Sequence, residues 1–125
     1  SLVACDFATG AIGIERYIKM LNSATGWTYN VDDAMKAGER IWNQIKAFNI
    51  REGQRTRDML PERLFNEPLP SGVAKGHRLI RNDFKRMLDD YYSLRGWRLD
   101  TGIPSKEKLT ELGLEDVSKE LERFE

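Results

Sequence analysis

Cys5 is the only cysteine of the chain and His77 is its only histidine, so few side chains here suit a transition metal. A thiolate binds iron–sulfur clusters and zinc well, but such sites need about four ligands, and no second cysteine stands near Cys5. The sequence neighbours of Cys5 are mostly apolar, which favours its interpretation as a small buried hydrophobic residue. A metal cluster at Cys5 would require thiolates from outside this chain. His77 has no paired ligand and is interpreted as a surface residue.

Three arginines close together, Arg51, Arg55 and Arg57, form a second group with chemical potential. Guanidinium groups bind phosphate or carboxylate through paired hydrogen bonds, so this cluster could hold an anion. Acidic side chains stand within the same stretch, and ion pairs with them are the favoured interpretation. These acids are Glu52, Asp58 and Glu62.

Aromatic residues form the third group. They fall at helix ends or on apolar stripes, so packing in the core is favoured over a platform on which bases stack. The residues concerned are Trp27, Trp42, Tyr91, Tyr92 and Trp97. No glycine-rich phosphate loop, nucleophile triad or glycosidase-type pair of acids is recognisable, so no catalytic residue is predicted.

The composition argues against several classes of function. The 20 basic and 20 acidic residues give a formal net charge of zero, which disfavours nucleic-acid binding. No apolar run approaches the roughly 18 residues that a membrane helix needs, and no basic leader precedes the first apolar residues. One cysteine excludes an internal disulfide, so a reducing, cytoplasmic compartment is expected. Because the sequence begins with Ser1 inside an apolar stretch, we expect a processed chain or a fragment of a longer one.

The elements that must position these residues are predicted to be helices. Apolar residues repeat at three- and four-residue steps, which indicates an all-α, multihelical fold of about five helices. The predicted helices cover residues 11–22, Asn30 to about Phe48, about Asp83 to Arg95, a short stretch after Ser105, and Leu114 to Phe124. We expect them to form a single helical domain over residues 1–125.

Local signals mark the ends of two of these helices. Asn30 is predicted to cap the second helix, with Asp32 and Asp33 in its first turn, where the helix dipole favours acids. Gly96 is predicted to end the third helix. Gly38 lies inside the second helix, where glycine costs about 1 kcal/mol relative to alanine, so we expect it to allow close packing against another backbone.

A long irregular loop at about 51–80 separates the second helix from the third. It contains Pro61, Pro68 and Pro70, which are three of the four prolines of the chain, and it has no helical period. Loops of that length are uncommon inside a compact domain and are usually functional, disordered or laid against a partner surface. We expect this loop to wrap other parts of a larger protein.

Several short strings, taken in order, resemble the C-terminal segment of the aldehyde ferredoxin oxidoreductase family. The resemblance extends from Ser1 to about Leu114, and it rests on the order and spacing of the strings rather than on any one of them. The strings are SLVACDF (1–7), ATGW (24–27), GERIWN (38–43), NIREG (49–53), LPER (60–63), YYSLRGW (91–97) and GIPS (102–105).

The resemblance implies a fragment of a cofactor-dependent enzyme. Members of this family hold a tungsten (in some members molybdenum) bis-pterin cofactor and a 4Fe-4S cluster. Three cluster cysteines lie in an upstream CxxCxxxC string, and the fourth, in the string similar to residues 1–7, falls on Cys5. By position, Ala4 and Asp6 become expected pterin contacts, mostly through their backbones. An acidic residue that precedes this string in the family is not part of the chain.

The resemblance also implies the reaction and its partners. The parent enzyme is expected to oxidise an aldehyde to a carboxylic acid and to pass electrons through the cluster to ferredoxin. The isolated chain is expected to be inactive and to bind no cofactor, because most cluster ligands and the remaining domains are outside it. The alternative is a free-standing helical protein-interaction module without redox activity, in which Cys5 is incidental and exposed apolar patches mark a protein partner.

Overall fold

A computed structural model describes Gly10 and residues 12–124, and the all-α class predicted from the sequence is confirmed. The described residues contain no β-sheet, only an isolated antiparallel bridge between Trp97 and Pro104. In chain order the helices are α1 Ile14–Thr25, α2 Val31–Arg51, α3 Arg63–Asn66, α4 Arg81–Arg95, α5 Lys106–Glu111 and α6 Glu115–Leu121, followed by a 3-10 turn at Glu122–Phe124.

Helix α2 is the longest element, and its start confirms the predicted cap. The Asn30 side chain accepts a hydrogen bond of 2.9 Å from the Asp33 backbone N–H. The Asp33 side chain in turn accepts one of 3.0 Å from the Asn30 backbone N–H. This reciprocal pair satisfies two backbone donors that a helix start leaves without partners, and such a cap is worth about 1 kcal/mol.

Glycines in the left-handed conformation end helices α1 and α4. Gly26 has φ 75° and Gly96 has φ 66°, a region that side chains with a Cβ rarely adopt. The stop predicted at Gly96 is therefore confirmed. Helix α4 starts at Arg81, two residues before the predicted Asp83.

The main apolar core lies at the C-terminal end of α2. Ala47 and Ile50 of α2 pack there against residues that follow α4. The remaining core members are Ile103, Leu109, Leu112, Leu114 and Leu121, with Val117 and Phe124 packed at the edge. Helices α5 and α6 therefore fold back onto α2, and the short last helices predicted from Leu109, Leu112 and Leu121 are confirmed.

The predicted loop at about 51–80 contains one short helix that the sequence reasoning missed. Helix α3 is four residues long and buries Phe65, and four residues are too few to display a period. The rest of the loop is ordered by its own backbone hydrogen bonds. Leu69 and His77 are joined by one of 2.9 Å, and Leu79 donates one of 3.0 Å to the Leu64 carbonyl of α3.

Candidate functional site

The residues predicted to touch metal or pterin, Cys5, Ala4 and Asp6, lie outside the described residues. Among the residues that are described, no group of three or more His, Cys, Asp or Glu side chains could hold a metal ion. His77 is exposed, as predicted. The described part of the chain therefore offers no complete metal site, and its most organised polar cluster lies elsewhere, between α2, α4 and the loop.

This cluster is centred on Asp58 in the loop. Lys46 of α2 approaches both Asp58 carboxylate oxygens, at 3.0 and 2.9 Å. From α4, the Tyr92 hydroxyl donates a hydrogen bond of 2.6 Å to Asp58 Oδ2 and accepts one of 2.9 Å from the Asp58 backbone N–H. One loop residue thus joins the two longest helices of the described chain.

A second series of polar contacts runs from α2 to Trp97, which follows α4. Trp97 Nε1 donates a hydrogen bond of 2.9 Å to Asn43 Oδ1, and both residues are buried. Asn43 donates in turn to the Glu39 carbonyl at 2.9 Å. The Glu39 carboxylate pairs with Arg95 at 2.8 Å. The Lys46 ammonium lies 5.2 Å from the centre of the Trp97 ring, which connects this series of polar contacts to the Asp58 cluster.

The environment shifts the proton affinity of both central groups. Burial raises the pKa of Tyr92, the hydrogen bond to Asp58 adds to this, and the pKa reaches about 12. Burial alone would raise the pKa of Asp58 as well. The hydrogen bonds from Tyr92 and Lys46, together with the positive charge of Lys46, outweigh it, so the pKa of Asp58 lies below its usual value. At neutral pH Asp58 is ionised and Tyr92 is protonated.

An open cleft of about 350 Å³ lies beside this cluster. Aromatic and aliphatic side chains form much of its wall, with Lys46 and Asp58 among them. Two of the aromatic residues are joined, because Trp42 Nε1 donates a hydrogen bond of 2.8 Å to the Tyr91 hydroxyl.

The polar contacts around Asp58 and Asn43 give each of their charged groups a partner. We therefore interpret this network as a brace that sets the positions of α2, α4 and the loop.

Two of the three clustered arginines, Arg51 and Arg57, form ion pairs, and only one of the pairs is with a predicted partner. Arg51 pairs with Glu52 at 3.0 Å, as expected from the sequence. Arg57 instead pairs with Asp89 of α4, and Arg55 lies over the Phe124 ring at 4.1 Å. The predicted pairs with Asp58 and Glu62 are wrong, because the fold brings Lys46 to Asp58 and Arg81 to Glu62.

The prediction that the aromatic residues are core residues is confirmed for two of them. Tyr92 and Trp97 are buried. Trp27 and Trp42 are 53% and 45% exposed, so the same prediction is wrong for them. Apolar periodicity identifies a helix face that needs covering, but it does not say whether the same chain covers it.

Helix α2 has apolar residues on two sides, and only one side is covered by the described residues. Ala47 and Ile50 face the core, whereas Met35, Trp42 and Ile45 are exposed. Gly38 lies in the same stripe, at three- and four-residue steps from Met35 and Trp42. A Cβ at Gly38 would meet nothing within 4 Å, so the predicted close packing of Gly38 does not occur within the described chain.

Further large apolar side chains are exposed on other elements. Ile14 and Met20 of α1, Leu64 of α3, and Met87 and Leu94 of α4 are each more than 40% exposed. Each of these three helices therefore has large apolar side chains that the described residues leave uncovered. No helix among the described residues is long and apolar enough to cross a membrane.

Comparison with known proteins gives a consistent result over most of the chain. A sequence family described as "Aldehyde ferredoxin oxidoreductase, domains 2 & 3" matches residues 1–114. A tungsten-containing aldehyde ferredoxin oxidoreductase of Pyrococcus horikoshii is 48% identical over 114 residues, which are 90% of this chain and 18% of that protein. The enzyme of the same name from Pyrococcus furiosus is 46% identical over 112 residues, covering 88% of this chain and 18% of the relative.

A more distant relative also matches almost the whole chain. The WOR-like subunit of an aliphatic sulfonate oxidoreductase of Pyrococcus furiosus is 33% identical over 131 residues, which cover 99% of this chain and 20% of that protein. The chain thus spans about a fifth of the length of the relatives it matches.

Proposed function

Because the chain belongs to the aldehyde ferredoxin oxidoreductase family, we propose that it is the C-terminal part of a tungsten-containing enzyme that oxidises aldehydes to carboxylic acids. The observation that supports this most strongly is the match over residues 1–114, with identities of 45–48% to four tungsten enzymes. In this proposal ferredoxin accepts the electrons.

Cys5 is the residue of this chain that would bind the 4Fe-4S cluster, with Ala4 and Asp6 beside the pterin. A four-iron cluster needs about four thiolates, and the chain contains one cysteine, so Cys5 fits only as one ligand of a shared site. When bound, the tungsten centre would supply the oxidation of the aldehyde and the cluster the transfer of electrons. The other three thiolates belong to the four-fifths of the parent that lie outside this chain.

The described residues would hold the Cys5 segment in place through α1. Helix α1 follows Gly13, eight positions after Cys5, and it packs against α2. The turn between the two helices is closed by the Asn22 side chain, which donates to the Tyr29 carbonyl at 2.8 Å and accepts from the Tyr29 N–H at 3.1 Å. Since α2 is anchored by its own core and by the Asp58 cluster, α1 and this turn would connect the preceding segment to a well-packed helix.

The exposed stripe of α2 would be buried against the rest of the parent enzyme. Met35, Trp42 and Ile45 supply apolar area, and Gly38 between them lets a second backbone approach closely. In this proposal residues 1–125 are one helical domain whose function depends on docking to the other domains. The isolated chain would then lack both the complete cluster site and its main interface, and it would be inactive.

The first experiment is metal analysis of the full-length parent, purified without oxygen. We expect tungsten and about four irons per chain, together with a visible absorption band of the cluster. Neither metal in a well-folded protein would overturn the proposal and favour a helical protein-interaction module.

The second experiment tests Cys5 directly. In the full-length parent, Cys5→Ser should lose iron and the visible band, whereas Thr9→Ala, a matched change in the same segment, should keep both. A Cys5→Ser protein with unchanged iron content would show that Cys5 is not a cluster ligand.

A further inference from the structure

The geometry points to a docking surface for an acidic protein partner, formed by the loop residues Lys75 and Arg78 together with a cationic cleft between α3 and α4. The inference deepens the proposed function and rests on it, because the partner we assign to this surface is the protein that accepts the electrons. We call this surface the basic ridge.

The basic ridge stands out in a chain of zero net charge. Within residues 75–86 there are five basic residues and one acidic residue, Asp83. The basic ones are Lys75, Arg78, Arg81, Lys85 and Arg86. The one acid is already used, since Arg86 pairs with Asp83 at 3.1 Å, and Arg81 pairs with Glu62. Lys75, Arg78 and Lys85 have no acidic partner among the described residues.

The loop that presents Lys75 and Arg78 is held in a defined shape. Leu69 donates a backbone hydrogen bond of 2.9 Å to the His77 carbonyl, and Gly76 donates one of 2.9 Å to the Leu69 carbonyl. Leu79 then fastens the end of the loop to α3 through the Leu64 carbonyl at 3.0 Å. The charges are therefore presented on a preorganised support, which lowers the entropic cost of binding.

A largely apolar cleft of about 280 Å³ lies between α3 and α4. Met59, Phe65 and Phe84 contribute to its wall, and the two phenyl rings meet edge to face at 5.5 Å. Arg81 and Lys85 line the same cleft, and the Arg81 guanidinium lies 4.6 Å from the centre of the Phe65 ring. Arg78 is three residues from Arg81, so their Cα atoms are at most about 11 Å apart.

A cleft with apolar walls and a cationic rim fits a partner that presents carboxylates around a protruding apolar side chain. Apolar contact at the centre with charges at the rim is the usual arrangement of a transient interface, and rim charges raise the rate of association. Burial beneath another domain of the same chain is the less favourable use of this surface. It would desolvate three cations that form no ion pair with the described residues.

The test uses the full-length parent and reverses two charges of the basic ridge. Lys75→Glu/Arg78→Glu is compared with Lys119→Glu/Arg123→Glu, which makes the same change in charge on the exposed C-terminal residues. Aldehyde-dependent reduction is measured with the ferredoxin of the same organism and with benzyl viologen, a small acceptor that needs no protein docking. Lys85→Glu is tested in the same way to probe the cleft.

We expect the ridge variant to raise KM for ferredoxin by about 10-fold or more at low salt, with its benzyl viologen rate unchanged. The C-terminal variant should leave both rates within about twofold of the parent. A KM for ferredoxin that does not respond to the ridge variant overturns the inference. So does loss of tungsten or of viologen reduction in the ridge variant, because the ridge would then be an internal interface.

Two further outcomes separate this inference from its rivals. Tight binding of a single-stranded oligonucleotide at 150 mM salt, abolished by the ridge variant with ferredoxin kinetics unchanged, would assign the ridge to nucleic acid and overturn the inference. Absence of any viologen reduction in the unsubstituted parent would instead refute the proposed function itself.

Discussion

The hydroxyl group of Tyr92 is held between two groups of one residue, Asp58. It donates to the Asp58 carboxylate at 2.6 Å and accepts from the Asp58 backbone N–H at 2.9 Å. The two residues are 34 positions apart, and Tyr92 is fully buried. This contact fastens the irregular loop to α4. We therefore expect changes at Tyr92 or beside it to lower the stability of the fold.

Replacing Tyr92 with phenylalanine should destabilise the fold. Tyr92→Phe keeps the ring but leaves the Asp58 N–H without a partner and removes one of the two hydrogen bonds to Asp58 Oδ2, which Lys46 still contacts. The cost of the unpaired N–H is about 1–3 kcal/mol. Urea denaturation of the 125-residue chain measures this cost. Tyr29→Phe is the control, because Tyr29 is 40% exposed and its hydroxyl has no hydrogen bond among the described contacts, so we expect a change below about 0.5 kcal/mol. Equal effects of the two substitutions would refute the role of the Tyr92 hydroxyl.

The same contact should limit stability at both ends of the pH range. The folded pKa of Tyr92 is raised from 10.0 to about 12, so the folded state keeps this proton more tightly than the unfolded state does. The resulting stability is full below pH 10 and is lost as the pH rises from 10 towards 12. The pKa of Asp58 is lowered from 3.8, so its contribution is present above that value and is lost as the pH falls below it.

The alkaline effect can be isolated by comparing variants. Urea midpoints of the parent chain and of Tyr92→Phe are measured between pH 8 and 12. The difference between the two proteins should shrink above pH 10, because only the parent loses the Tyr92 contribution there. A difference that stays constant over this range would contradict the raised pKa of Tyr92.

Gly102→Ala should destabilise the fold more than the same change at another glycine of similar backbone conformation. Gly102 has φ 73°, and an added Cβ would lie 2.6 Å from the Tyr92 hydroxyl oxygen. Gly26 has φ 75° but nothing within 4 Å of its Cβ position. Both variants bear the cost of a left-handed alanine, about 1–2 kcal/mol, and Gly102→Ala adds displacement of the Tyr92 ring.

Thermal or urea unfolding of the two glycine variants measures the difference directly. We expect Gly102→Ala to be the less stable by at least about 1 kcal/mol. If Gly26→Ala lowered the stability by the same amount, backbone strain alone would account for both losses. The close packing of Gly102 on Tyr92 would then contribute nothing measurable to stability.

Much of the local structure could be predicted from the residues alone. The cap of α2 depends on Asn30 and Asp33, three positions apart, and the end of α4 depends on Gly96. Such signals act within one helical turn, so no knowledge of the remaining chain is needed. The one-turn helix α3 escaped prediction, because four residues are too few for a period to appear.

The candidate site could be predicted only through the resemblance to a family. Cys5 by itself has the chemistry of a buried apolar residue, and the ligand role proposed for it depends on thiolates outside the chain. The basic ridge was also missed, because a net charge of zero hides the excess of basic residues between Lys75 and Arg86.

The sequence by itself determined the helical class, the start of α2, the end of α4 and the family, since each depends on near neighbours or on the order of short strings. Only the tertiary structure decided which charges pair and which apolar faces stay open. Arg57 meets Asp89, 32 positions away, and Asp58 meets Lys46 rather than a nearby arginine. The outward stripe of α2 remains uncovered by the described residues. Such pairings depend on how distant segments pack, and local periodicity and charge order contain no information about that packing.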